Sequence, residues 1–211
     1  MGVSLMVRPY HTSLKSHEVH IVSNQIGRGC GCETCTVFVH DMEHGLPTEF
    51  NHCDVIFSEP PWPAGYGEFS ARAGKTSHSF SRFAGALSAV CVGATRDVPV
   101  VLVVGKLLLR RLPCPTRVTD GWIDSGGRIL ARCLIACWGR NVLNGESRTS
   151  TLLSGLAQEF WCVGDPCCGY GNTGRIFMAN GRHAVMSDVN QACVDYVAGN
   201  VESWHGEQNE Q

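Results

Sequence analysis

The chain has 211 residues, of which 44% are hydrophobic and 17% charged, so it reads as one core-forming domain and excludes a disordered or fibrous protein. Its net charge of −2 argues against a uniformly basic nucleic-acid coat. The longest apolar stretch, residues 98–109, is broken by Gly105 and Lys106 and falls short of the roughly 18 residues that a membrane span needs. The first ten residues lack the charged start, apolar run and cleavage site of a signal peptide, so a cytoplasmic protein with no membrane segment is expected.

Residues 1–35 are taken as an N-terminal arm to which no element is assigned. Beyond them, short apolar runs ending at turn-type residues read as buried parallel strands: 36–41 (TVFVHD), 53–59 (CDVIFSE), 98–105 (VPVVLVVG), 160–165 (FWCVGD) and 183–188 (HAVMSD). Helix-compatible segments fall at 79–91, 149–158, 173–180 and 190–200. RILARCLIACW (128–138) is read as a further strand, although its length also suits a helix. This alternation over residues 36–200 predicts one α/β domain, an open sheet with helices on both faces. Ligands of such sheets bind at the carboxyl ends of the strands. Residues 201–211 read as a polar C-terminal tail.

Charge is unevenly placed. Residues 96–148 hold nine Lys and Arg against four acids, whereas residues 183–211 hold five acids and no Lys or Arg. One side of the molecule is therefore expected to face a polyanion. The segment 63–82 carries Arg72, Lys75 and Arg82 among Gly and Ser, and is expected to be a mobile flap that grips a nucleic-acid strand. The twelve cysteines sit in a chain too long for a small secreted disulfide framework. Several, such as Cys91, Cys133 and Cys137, lie in apolar runs and read as buried thiols. Cys30, Cys32 and Cys35 could be three zinc ligands with His40, His44 or His52 as the fourth. Their CxCxxC spacing is not the usual paired CxxC and no second pair follows, so a Gly-rich turn is preferred and no metal is expected.

The most informative segment is FWCVGDPCCGYGNTG (160–174), a strand running into glycines and then a helix. Gly169 and Gly171 allow a tight turn and let a ligand lie against bare backbone. The helix start that follows suits a carboxylate or phosphate. Asp188, at the end of the next strand, stands where a carboxylate can accept both hydroxyls of a ribose. GYGNTG satisfies the GxGxxG spacing of dinucleotide sites. Asp165 just before it, however, would repel a pyrophosphate and suit an ammonium group, so a nucleoside bearing an amino acid is the expected ligand. A second constellation, SEPPW (58–62), follows the strand 53–59. Pro60 and Pro61 fix an extended turn and remove two N–H donors. With the Glu59 carboxylate and the Trp62 ring, the turn can hold an amino group between acceptors while stacking its ring, as a flipped-out base requires.

At these residues the chain resembles a known family. DPCCGYGNTG (165–174) is similar to the DPFCGSGTTG cofactor motif of S-adenosylmethionine-dependent amino methyltransferases, and SEPPW to their DPPY or DPPW catalytic motif. The order, catalytic motif first and cofactor motif last, resembles the circularly permuted class of DNA amino methyltransferases over roughly residues 36–200. The resemblance implies a permuted class I methyltransferase fold, Rossmann-like, with S-adenosylmethionine as cofactor and the exocyclic amine of adenine in DNA as target. It implies that Asp165, Pro166 and the turn Cys167 to Gly171 hold the methionine part of the cofactor. Asp188 then takes the ribose hydroxyls, Asp41 approaches the adenine amine, and Glu59, Pro60, Pro61 and Trp62 hold the target base.

The chain departs from the family where Glu59 replaces the usual Asp or Asn, and where Cys167 and Tyr170 replace the commoner Phe and Ser. About 100 residues separate the two motifs, which leaves no room for a separate target-recognition domain. DNA would then be read by loops, by the second subunit of a homodimer, or with low sequence specificity. Two alternatives stay open: methylation of RNA or of a small-molecule amine, and a catalytically silent binding subunit.

Overall fold

The structure, a computed structural model, describes residues 19–23, 34–125, 127–145 and 148–205. Its strands are β1 (Val19–Ser23), β2 (Thr34–Val39), β3 (Val55–Ser58), β4 (Val100–Val104), β5 (Arg117–Ser125), β6 (Arg128–Trp138), β7 (Cys162–Asp165) and β8 (His183–Asp188). They form one eight-stranded sheet in the order β1-β2-β8-β7-β3-β4-β6-β5. The five strands from β2 to β4 in that order are parallel, while β6 runs antiparallel to β4, β5 to β6, and β1 to β2. The helices are α1 (Tyr66–Arg72), α2 (Phe80–Val92), α3 (Lys106–Leu109), α4 (Thr149–Glu159), α5 (Asn172–Ala179) and α6 (Gln191–Asn200). Among the described residues no helix is long and apolar enough to cross a membrane.

Every residue of β3, β4 and β7 is buried. Strands covered on both faces must be apolar throughout rather than in alternation, which is why VIFS and VVLVV carry no polar stripe. Leu153, Leu156, Phe177 and Val194 from α4, α5 and α6 cover one face of the sheet. Tyr66, Phe83, Leu87 and Leu108 from α1, α2 and α3 cover the other. The expected α/β open sheet with helices on both faces is therefore the architecture of the chain.

Three features differ from the sequence expectation. RVTDGWIDS forms β5, an outer strand paired only with β6 among the named strands. Its polar composition follows from that position, since most of its residues face solvent. The expected flap at 63–82 contains α1 and has little free basic charge: Lys75 is ion-paired at 2.7 Å to both Asp41 and Glu43, and Arg72 stands beside Glu68 at 3.9 Å. The chain does not leave the fold at residue 201. Val201–His205 form a 3-10 turn in which Val201 and Trp204 are buried. The strand expected at 128–138 is β6; it meets β4 only from Leu134 to Trp138, so the paired ends of β5 and β6 project past the carboxyl end of β4.

Candidate active site

Two neighbouring strands set the site. From β3 the chain proceeds to β4 on one side, and from β7 it proceeds to β8 on the other. Connections that leave in opposite directions open a crevice at the carboxyl ends of the two strands. The SEPPW turn follows β3, and the DPCCGYG turn grows from the last residue of β7. The register pairs Ile56 with Gly164, which brings Ser58 beside Asp165.

Asp165 is 2% exposed. Its Oδ1 accepts from the Ser58 hydroxyl at 2.8 Å and from the Cys167 N–H at 3.1 Å, and its Oδ2 accepts from the Thr173 hydroxyl at 2.6 Å. Burial lifts its carboxyl to about 6, with these three bonds acting against the rise and the Asp188 charge adding to it. Asp165 thus ties the SEPPW turn, the glycine turn and the start of α5 together. With both oxygens engaged by the protein, it organises the site from beneath.

The two glycines of the turn have different duties. Gly169 has φ +51°, and a Cβ built there meets nothing within 4 Å, so its bare face looks onto open space. Gly171 has φ +80°, and a Cβ there would stand 2.7 Å from the Trp204 ring and 2.8 Å from Val197. The expectation that both glycines leave room for a ligand is corrected at Gly171, whose missing side chain makes room for the C-terminal turn. The Gly169 N–H donates to Asp188 Oδ2 at 2.9 Å, and the Asn190 N–H to Asp188 Oδ1 at 2.8 Å. Burial pushes the Asp188 carboxyl above its ordinary range, against these backbone bonds.

A narrow cleft joins the motifs. Asp41, Pro61, Lys75, Pro166, Cys167 and Asp188 are among its lining residues. Asp41 caps the 3-10 turn Met42–His44 by accepting from the Glu43 N–H at 3.0 Å, and it pairs with Lys75. Glu43, which the sequence reading missed, does not line the cleft but anchors two residues that do, Tyr66 and Lys75. Its Oε1 accepts from the Tyr66 hydroxyl at 2.6 Å, Lys75 Nζ at 2.7 Å and the Ser79 N–H at 2.9 Å. Burial acts to raise its carboxyl, but the Lys75, Ser79 and Tyr66 bonds outweigh it and hold it at about 2. These partners lie 23 to 36 residues from Glu43, so no local motif announces them.

Pro60 is buried and Glu59, Pro61 and Trp62 are half-buried, Pro61 lining the cleft and Trp62 packed against the core. Burial is the main reason that the Glu59 carboxyl rises to about 7, and the Asp165 charge adds to it, with the Thr149 hydroxyl acting the other way. The Trp62 ring lies over the end of β4, 3.6 Å from where a Cβ on Gly105 would stand. Ser58, Thr149 and Thr173 were also missed. Ser58 and Thr173 stand inside the motifs, so their neighbours were the available signal.

The cysteines behave as small core residues. Among the ten described, only Cys114 is exposed and only Cys167 is half-buried. Burial raises the Cys167 thiol well above its ordinary value, and the nearby Asp188 and Asp165 raise it further, so it stays protonated. Cys35 sits in β2 within the core, where burial pushes its thiol to about 12. Cys30 and Cys32 lie outside the described residues.

No protein-family model matches the sequence, and no curated protein matches it. Solved structures do. M1.HpyAVI in complex with SAM is 10% identical, with a TM-score of 0.48 and coverage of 79% of this chain and 99% of that one. TTHA0409 from Thermus thermophilus, a proposed DNA modification methylase complexed with S-adenosyl-L-methionine, is 12% identical, with a TM-score of 0.48 and coverage of 80% and 93%. At these identities the likeness is one of fold, and the chemistry of the site rests on its own residues.

Proposed function

We propose that the chain is an S-adenosylmethionine-dependent methyltransferase of the circularly permuted amino class, acting on the exocyclic amine of adenine in DNA. The observation that carries this reading is the meeting of its two motifs at one crevice, with Ser58 of the SEPPW turn bonded to Asp165 of the DPCCGYG turn. Strand order supports it: the strand bearing the catalytic-type turn precedes the strand bearing the glycine turn, yet the two are hydrogen-bonded neighbours.

The residues present fit the cofactor. Gly169 offers a bare backbone facing open space, Asp188 a carboxylate at the cleft wall for ribose hydroxyls, and Asp41 a second acid on the same wall. Asp41 is paired with Lys75, so Asp188 carries most of the negative charge this wall offers a ligand with ammonium and sulfonium groups. When bound, S-adenosylmethionine supplies an electrophilic methyl group.

Glu59, Pro60 and Trp62 do the rest. The exocyclic nitrogen of adenine is a poor nucleophile because its lone pair is delocalised into the ring. Hydrogen bonds from the amine to the Glu59 carboxylate and the Pro60 carbonyl favour a more tetrahedral nitrogen with its lone pair directed outward. The nitrogen must lose a proton on methylation, and Glu59, with a carboxyl near 7, suits its acceptance at neutral pH. Trp62 stacks the base, a contact worth about 1–3 kcal/mol. Orientation supplies most of the acceleration, on the order of 7 kcal/mol or more in well-positioned pairs.

The test is transfer of labelled methyl from the cofactor to DNA, RNA and free nucleosides by the wild type, Glu59→Ala and Asp165→Ala. Label on DNA that disappears in Glu59→Ala supports the reading. Label that survives Glu59→Ala rejects the catalytic role, and label on RNA or nucleosides alone rejects the DNA substrate.

A further inference from the structure

Nine basic residues between 96 and 148 divide between the two ends of the sheet. Arg96 precedes β4, Arg117 opens β5 and Arg140 follows β6, so these three lie toward the amino ends of the parallel strands. The other six, Lys106, Arg110, Arg111, Arg128, Arg132 and Arg148, are exposed toward the carboxyl ends, the same end as Glu59 and Asp165. Of the four acids in the same stretch, Asp97 lies at the far end, and Asp124 is buried beneath Thr149 and Ser150. Asp120 is exposed and paired with Arg132 at 3.2 Å, and Glu146 lies outside the described residues. The exposed charge here is strongly positive.

The overhanging part of β6, residues 128–133, spans roughly 20 Å at the usual rise of a strand. The register sets Arg132 opposite Trp122 of β5 and Arg128 opposite Ser125, with a bulge between them that leaves Leu130 unpaired; all three side chains are exposed at the projecting end of the hairpin. The Arg132 guanidinium lies 6.0 Å from the Trp122 ring centre. On the same side of the sheet, α3 presents Lys106 and Leu107, while its Leu108 is buried in the core. Leu130 is 63%, Leu107 62% and Trp122 38% exposed. The outer edge of β5 is itself met by a backbone bridge from Arg148 to Trp122, which blocks strand-to-strand pairing with a second copy at that point.

We propose that the projecting end of the β5–β6 hairpin, with Trp122, Leu130, Arg128 and Arg132, is a binding platform for an unpaired nucleic-acid strand, feeding the crevice in place of a separate recognition domain. This rests on the methyltransferase reading for its purpose but not for its chemistry. Phosphates meet the arginines, and bases stack on the tryptophan and its guanidinium neighbour. Such contacts tolerate any sequence, because every base has a stacking face.

The test uses the full chain and a fluorescent 20-nucleotide single-stranded DNA of mixed sequence, titrated by anisotropy at several salt concentrations. Trp122→Ala should weaken binding by about tenfold or more. The double variant Arg128→Ala, Arg132→Ala should flatten the dependence of log affinity on log salt by about 1.4, at roughly 0.7 per lost phosphate contact. The double variant Arg96→Ala, Arg117→Ala, the same charge change at the other end of the sheet, should leave both unchanged. All these side chains are exposed, so matching circular-dichroism melts show that the variants fold. Equal affinity and salt slope in every variant, or no binding by the wild type, overturns the platform. A dimer seen by sedimentation that Trp122→Ala dissociates also overturns it, in favour of a surface for a second copy. Failure of cofactor binding with oligonucleotide binding intact would remove the methyltransferase reading and leave the platform standing.

Discussion

Ser58 Oγ donates to Asp165 Oδ1 at 2.8 Å, joining residues 107 positions apart in the chain. Both groups are buried, so the bond forms only when β3 and β7 lie side by side, and it fixes the distance between the two turns that make the crevice. Ser58→Ala leaves part of a buried carboxylate without its donor. A loss of about 1.5–3 kcal/mol is expected, the range for hydrogen bonds to charged groups, measured by urea unfolding at pH 7. Cofactor affinity should fall with it, because the Cys167 to Gly171 turn hangs from the same carboxylate.

In the proposed reaction, Glu59 should set the pH dependence of methyl transfer. Its carboxyl titrates at about 7, and the working form is the carboxylate. Below pH 7 the rate at low substrate should fall about tenfold per unit, and above it the rate should level off. The linkage has the opposite sense: a carboxyl raised by folding favours its protonated form, so its contribution to stability is full below about 4.5 and is lost as pH rises through about 7. Glu59→Gln should therefore be more stable than the wild type at pH 8, with the gain fading by pH 4, while transfer falls at every pH. A pH series of unfolding curves and rates checks both.

Two glycine substitutions separate packing from binding. Gly171→Ala combines a positive φ with a Cβ set 2.7 Å from the Trp204 ring. It should destabilise the fold by more than the roughly 1–2 kcal/mol of the backbone strain alone. Gly169→Ala incurs only the strain, since its Cβ points into open space, but it fills the face proposed for the cofactor. Gly171→Ala should thus show a lowered Tm, and Gly169→Ala a cofactor affinity reduced well beyond its change in Tm.

Lys75, at the cleft wall, holds two acids, with the side chains of Lys75 and Glu43 only 11% and 5% exposed. Lys75→Met leaves Asp41 and Glu43 facing each other without their cation, and breaking such a buried pair costs about 3–5 kcal/mol. The Glu43 carboxyl, held at about 2, adds stability that is present above about 4.5 and is lost only as pH falls toward 2. Lys75→Met should therefore narrow the gap to the wild type at low pH, as seen in acid unfolding curves.

The parts of the fold legible in the sequence are those whose burial is total. β4 is apolar along its whole length, and β3 and β7 are polar only at their last residues, Ser58 and Asp165; an unbroken run of five such as VVLVV is too short for a helix and too apolar for a surface loop. β5 was not legible because an outer strand of mixed polarity, RVTDGWIDS, satisfies no period of burial. α1 hid among glycines and serines, and its Tyr66 is tied to Glu43 across 23 residues. The two motifs were legible as motifs, and Ser58 stands inside one of them, but its bond to Asp165 was not legible because the two residues lie 107 positions apart. Trp204 read as part of a polar tail because its partners, Gly171 and Gly174, lie some 30 residues earlier in the chain.

Whether the two turns make one site for a sulfonium donor is tested most directly by calorimetry with S-adenosylhomocysteine on the wild type and Asp188→Ala. The expected result is one molecule bound per chain by the wild type and binding weakened at least tenfold in Asp188→Ala with the fold intact. An absence of binding by the folded wild type, or equal binding by both proteins, would contradict the shared site.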